Sequence, residues 1–183
     1  EITNTSDETV TLGGLTLRDE GGDFWPIPEG VAVGAGDSIV FGATTNTQFN
    51  GGAPIDHKWS VFSLNHEQDA IILEVAGVVL DAVHYDVAEG WPLLDGYSMR
   101  LSDASMDVSS NDNPASWCVG EGTYGLGDIG SPGQPNGVCE LLQGAVIFSE
   151  LMVDPINMSD EEGEYIELFN PGLVGVDLTG WRI

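Results

Sequence analysis

Chemistry in this chain would have to be done by carboxylates, because 30 of its 183 residues are Asp or Glu while Lys and Arg together number four. Two loops concentrate them. Residues 102–113 carry Asp103, Asp107, Asn111, Asp112 and Asn113, and residues 154–164 carry Asp154, Asp160, Glu161, Glu162 and Glu164. Calcium takes six to eight oxygen ligands, usually from carboxylates and carbonyls on a turning loop. Asp103, Asp107, Asn111 and Asp112 in the first loop, and Asp154, Asp160 and Glu162 in the second, are therefore the candidate calcium ligands. Calcium is the one cofactor these residues suggest. Neither loop has the EF-hand spacing with its central Gly and terminal Glu. The competing reading is a solvated acidic turn, with Asn111-Asp112-Asn113-Pro114 acting through side-chain-to-backbone hydrogen bonds.

Catalysis has little to stand on. His66-Glu67 begins a zincin-like motif, but the second His would belong at position 70, which is Ala70. No Gly-x-Ser-x-Gly nucleophile elbow occurs. His57 and His84 have no partner set that spacing identifies. Paired carboxylates such as Asp19 and Asp23 could do acid–base work, yet in so acidic a chain such pairs arise by composition alone. Asn4-Thr5-Ser6 and Asn157-Met158-Ser159 fit the N-glycosylation acceptor pattern. The expectation is a protein with no catalytic residues.

The cysteines are Cys118 and Cys139. Zinc would require further Cys or His ligands nearby. A disulfide is the better reading and two buried free thiols the alternative. The bond would close a Gly- and Pro-rich loop and contribute roughly 3 kcal/mol by the chain-entropy relation. It implies an oxidising, extracytoplasmic compartment.

The formal charge of −26 repels nucleic acid and anionic membranes. Phosphate binding draws on Lys and Arg, and only Arg18, Lys58, Arg100 and Arg182 are present. No apolar run approaches the roughly 20 residues of a membrane helix. An acidic surface suits a saline or calcium-rich exterior, where cations screen the self-repulsion.

The elements that would position these residues read as short strands. Val10 and Leu12 alternate, as do Leu15 and Leu17, and a bulge at Gly13-Gly14 would absorb the change of facing between them. Phe24-Trp25-Pro26-Ile27-Pro28 is expected at a sheet edge, since proline cannot donate a ladder bond. Ser38-Ile39-Val40-Phe41 reads as a short buried strand. Residues 42–58 read as a long polar loop and a candidate recognition surface, and Trp59 to Leu64 as a return to the sheet. Ile71, Leu73 and Val75 share one face at period two. Ala76-Gly77 permits a tight hairpin into residues 78–85. Tyr97, Met99 and Leu101 are expected inward and Arg100 outward. No sustained helical stripe occurs. Many short strands with frequent turn signals argue for a β-sandwich.

The two ends of the chain match. Residues 1–17 laid on 167–183 without a gap, an offset of 166 positions, pair Glu1 with Glu167, Asn4 with Asn170, Val10 with Val176, Leu12 with Leu178 and Gly14 with Gly180. This is the signature of a repeat of about domain length. The residues involved, with 146–151, 164–170 and 176–181, and further Ile27-Pro28 before Gly34–Asp37, Val79–Val83 and Gly130–Asn136, make a pattern that resembles the lamin-tail domain of bacterial extracellular proteins. The resemblance spans nearly the whole chain and implies an all-β, immunoglobulin-like β-sandwich, its strands permuted or shared between repeats. Residues 1–141 would form one copy without its opening strand, and 142–183 the opening strands of a second. Val146, Ile147, Phe148 and Leu151 lie in the segment that could be shared, completing the same unit or a neighbouring molecule. The functional expectation is a non-enzymatic extracellular structural or adhesive module of a tandem array. Its partners would be other copies of the repeat and a surface ligand, with no nucleic acid and no membrane insertion. The alternatives are a calcium-dependent ligand- or protein-binding module and an accessory domain of a secreted hydrolase.

Overall fold

The computed structural model describes residues 1–59, 62–139, 146–171, 175, 176 and 178. The protein is all-β: among the described residues, helix is limited to three 3-10 turns and one four-residue α-helix. It divides into two units, Glu1–Cys139 and Glu140–Ile183. The expected linker at 141–144 and residues 181–183, expected to end the repeat pattern, lie outside the described residues.

The first unit holds fourteen strands in its described residues. In chain order they are β1 (Ile2–Thr3), β2 (Val10–Thr11), β3 (Thr16–Arg18), β4 (Phe24–Pro26), β5 (Ala32–Val33), β6 (Ser38–Ile39), β7 (Phe41–Gly42), β8 (His57–Lys58), β9 (Gln68–Val75), β10 (Val78–Asp86), β11 (Met99–Leu101), β12 (Trp117–Val119), β13 (Thr123–Tyr124) and β14 (Asp128–Ile129). The main sheet has four antiparallel strands in the order β10-β9-β3-β4. Short ladders β1–β6, β2–β5 and β7–β8 are separate from it, and Val33, Ile39 and Phe41 on them belong to the same core cluster as residues of the main sheet. Leu17 and Trp25 from the main sheet meet Leu12, Val31, Val33, Ile39 and Phe41 in one buried cluster. Trp25 packs edge-on to Phe41 with ring centroids 5.5 Å apart. Each such fully buried side chain stabilises the fold by about 1.5–3 kcal/mol.

Local chemistry sets the strand boundaries. The N–H groups of Leu12 and Gly13 both donate to Val31 O, at 2.9 and 3.2 Å, the two-against-one pattern of a bulge. The chain leaves the β2–β5 ladder there and enters the main sheet at β3. Pro26 sits on β4, the outer strand, where its missing N–H costs nothing. The β9–β10 turn is Ala76-Gly77, both at positive φ (49° and 80°). That two-residue turn with positive φ at both positions follows the right-handed twist of the hairpin.

Three of these expectations are corrected. Ser38–Phe41 is not one strand: Val40 separates β6 from β7, each with its own partner. The stretch 42–58 is not all loop, since His57–Lys58 pairs in parallel with Phe41–Gly42. The loop between them is anchored by Leu126 N–H donating to Gly51 O at 2.8 Å. In β9 both faces are covered. Ile71 and Leu73 pack on the core cluster, while Ala70 and Ile72, on the opposite face, are the more deeply buried. Arg100 is buried rather than outward, for a reason given below. Ser60 and Val61, within the expected return strand, lie outside the described residues.

The second unit is an antiparallel pair, β15 (Ile147–Met152) and β16 (Tyr165–Phe169), with a short helix α1 (Asp160–Gly163) between them. Its register shifts at Ser149, whose hydroxyl donates to the Glu167 carboxylate. All six residues of β15 are exposed.

Candidate functional site

In the loop 102–113, Asp103, Asp107 and Asn113 accept hydrogen bonds from backbone N–H groups. Asp103 Oδ2 accepts from Gly137 N–H at 2.9 Å. Asp107 Oδ1 accepts from the N–H groups of Ser109 and Ser110, each at 3.0 Å. Hydrogen bonds from Ser110, then Ser109, hold the Asp107 carboxyl below its usual range. Asn113 Oδ1 accepts from Ala115 N–H and caps the turn 114–116. Asn111 is buried; its Nδ2 donates to both carboxylate oxygens of Asp81 at 3.0 Å, and its carbonyl accepts from Trp117 Nε1 at 2.8 Å. Asn111 Oδ1 is buried without a partner. Asp154, Asp160 and Glu162 of the second loop are exposed. Among the described residues, no three His, Cys, Asp or Glu side chains converge as a metal would require. Asp103, Asp107, Asn111 and Asp112 are close in sequence but are not brought together as a ligand set, and the same holds for Asp154, Asp160 and Glu162. Side-chain-to-backbone bonding takes up oxygens of Asp103 and Asp107.

Cys118 and Cys139 form a disulfide with Cα atoms 5.8 Å apart, inside the usual range. Arg100 lies beside it, 5% exposed. Its guanidinium donates to Val119 O at 3.3 Å, to Asn136 O, and to Glu121 Oε1 at 2.7 Å. A buried guanidinium is tolerated where carbonyls and a carboxylate take up its fork of donors. The residue that alternation puts outward is therefore the internal tie of the disulfide loop. Only the loop's carbonyl geometry reveals it.

The concave feature that sequence reasoning missed runs along β10. An open groove of about 470 Å³ is lined by the consecutive residues Val79 to Ala82, by His84, Glu89 and Trp91, and by Val108, Asp112 and Pro114. Beyond His84 and Glu89 a second depression of about 360 Å³ continues past Glu20, Asp69 and Asp86. Neither lining contains Lys or Arg. The floor is firm: Trp91 is buried against Trp117 with centroids 5.7 Å apart. Asp81 is oriented by Asn111 and also accepts from Ala82 N–H at 2.9 Å. At the far end Tyr85 O–H donates to Asn65 O. Burial, with a smaller contribution from the Asp69 carboxylate, pushes the Tyr85 phenol up to about 12. The signal that could have located this groove is the apolar Val78-Val79-Leu80 run on a strand with no partner on its outer side among the described residues.

The histidines serve as single partners. His66 pairs with Asp95 at 2.9 Å and His84 with Glu20 at 3.1 Å, all exposed, and the His57 ring lies 6.0 Å from that of Phe41. Asp19 is buried and accepts from Gly22 and Asp23 N–H, each at 2.7 Å, so the Asp19/Asp23 pair is a turn. Asn4 is corrected as a glycosylation acceptor. It is 6% exposed, and its Nδ2 reaches the carbonyls of Glu8, Val33 and Gly34 at 2.7–3.1 Å. A glycan has no access to that nitrogen. No protein-family model matches the chain, and comparison with curated proteins and with solved structures yields no match.

Proposed function

We propose that this chain is part of a non-enzymatic extracellular protein built from repeated immunoglobulin-like β-sandwich modules of the lamin-tail type, with a structural or adhesive role. The observation that carries the reading is the ungapped correspondence of residues 1–17 with 167–183. It has a counterpart in the backbone: the offset places Ile2–Thr3 of β1 on Leu168–Phe169 of β16, and both segments are strands. The disulfide supports an oxidising compartment, and no helix among the described residues is long and apolar enough to cross a membrane.

The second unit supplies the means of assembly. Ile147, Phe148, Leu151, Ile166 and Phe169 are between 44% and 59% exposed on its two strands. An isolated two-stranded hairpin is marginal in water, so these side chains are suited to insertion into a complementary sandwich. Strand sharing between copies provides one. Light scattering over a concentration series tests it. The chain is expected to associate as concentration rises, and a variant with both Phe148→Lys and Leu151→Lys is expected to remain monomeric. A chain that stays monomeric at high concentration, or a variant that associates equally, overturns strand sharing.

A further inference from the structure

We propose that the outer edge of β10 and the groove beside it receive an extended polypeptide segment carrying Lys or Arg at alternate positions, contributed by a partner protein. The backbone supplies the first half of the case. β10 is nine residues long and ends the main sheet, pairing with β9 alone among the described residues. Ala82 N–H donates to the Asp81 carboxylate rather than to β9, and Asp86 O accepts from Trp91 N–H at 3.4 Å. Ala82 and Asp86 therefore turn their peptide groups outward, and by the alternation of an antiparallel ladder so does His84 between them. Both flanking positions are engaged within the chain, whereas His84 sits where the two depressions meet. An incoming strand would place its backbone there, about 4.8 Å from β10.

The side chains supply the second half. Val79, Leu80 and Val108 are 49%, 44% and 61% exposed along the groove, beside Asp81, Glu89 and Asp112. Lys and Arg match such a lining, since their aliphatic stems cover apolar surface while the charged head meets a carboxylate. Among the described residues Glu89 and Asp112 have no hydrogen-bonded or ion-paired partner of their own. A second copy of this chain is a poor occupant. It carries four Lys and Arg residues in all, of which Arg18 and Arg100 are committed to Glu74 and Glu121. A bare metal ion is a poor one also, because among the described residues no three His, Cys, Asp or Glu side chains converge.

The test is titration of the isotope-labelled chain with a six-residue peptide of alternating Lys and Val, blocked at both ends. A second peptide has the same composition with its three lysines contiguous, and a third replaces Lys by Glu. The alternating peptide is expected to shift the His84 amide resonance and slow its hydrogen exchange at least tenfold. The contiguous peptide is expected to bind about tenfold more weakly and the Glu peptide not at all. A variant with Glu89→Gln and Asp112→Asn removes two exposed charges that hold no fold contact, and is expected to lose about tenfold in affinity. If the two Lys peptides bind alike, if shifts spread evenly over every acidic loop, or if the variant binds as well as the parent, the cation is only a counter-ion and the proposal fails.

Discussion

Asn4 shows how much one amide can hold together. Nδ2 serves carbonyls on two other segments, and Oδ1 accepts from Ser6 N–H and Oγ at 3.0 and 2.7 Å. Asn4→Ala would strand buried carbonyls of Val33 and Gly34, and is expected to cost about 2–3 kcal/mol, read as a lower urea midpoint at unchanged slope. Asn4→Asp keeps the acceptor and loses both donors, so a comparable loss is expected. Tyr85 makes the second prediction at this scale. Its phenol titrates near 12 in the folded chain, against about 10 when unfolded. The protonated form is favoured by folding, so its contribution is complete below pH 10 and is lost as pH rises toward 12. Stability is expected to fall by on the order of 2 kcal/mol across that window, and Tyr85→Phe to fall less. Denaturant melts at pH 9, 10.5 and 11.5 measure it.

Among the elements, the β9–β10 hairpin is the one whose turn can be improved. Ala76 is the only non-glycine at positive φ among the described residues (49°), followed by Gly77 at 80°. Asn is suited to the first position of this turn. Ala76→Asn is expected to stabilise by about 0.5 kcal/mol, and Gly77→Ala to destabilise by about 1–2 kcal/mol, because a Cβ at that φ meets the backbone. Opposite signs in thermal melts verify the turn; equal signs refute it. This hairpin was legible because alternation and the Ala-Gly pair agree over a long stretch. The Arg100 orientation was not legible, because the partners that bury it, Val119, Glu121 and Asn136, come from segments 19 to 36 residues away.

At the scale of the whole molecule, charge dominates. A formal charge of −26 makes the folded chain repel itself, and salt screens that within a Debye length of about 10 Å at 0.1 M. Sodium chloride and calcium chloride at matched ionic strength are expected to raise the melting temperature to a similar extent, and chelator to have no effect in sodium chloride. A clear excess with calcium would restore the calcium-dependent reading, with ligands gathered from beyond the arrangement described above. The two units also differ in what they bury: the first surrounds a cluster of fully covered side chains, while the strands of the second are open.

The amino-acid order by itself determined the strand class, the bulge at Gly13, the edge position of Pro26, the β9–β10 turn and the Cys118–Cys139 bond. Each follows from local backbone freedom, from period-two burial, or from two cysteines flanking a Gly- and Pro-rich loop that a covalent tie orders. Tertiary structure alone decided that Asp103 would accept from Gly137 N–H, that Arg100 would face inward, that Asn4 would be sealed from solvent, and that carboxylates from β10, the turn at 87–89 and the loop at 108–114 would line one groove. Those outcomes depend on which distant carbonyl or strand edge comes within hydrogen-bond reach, and residue spacing carries no record of that.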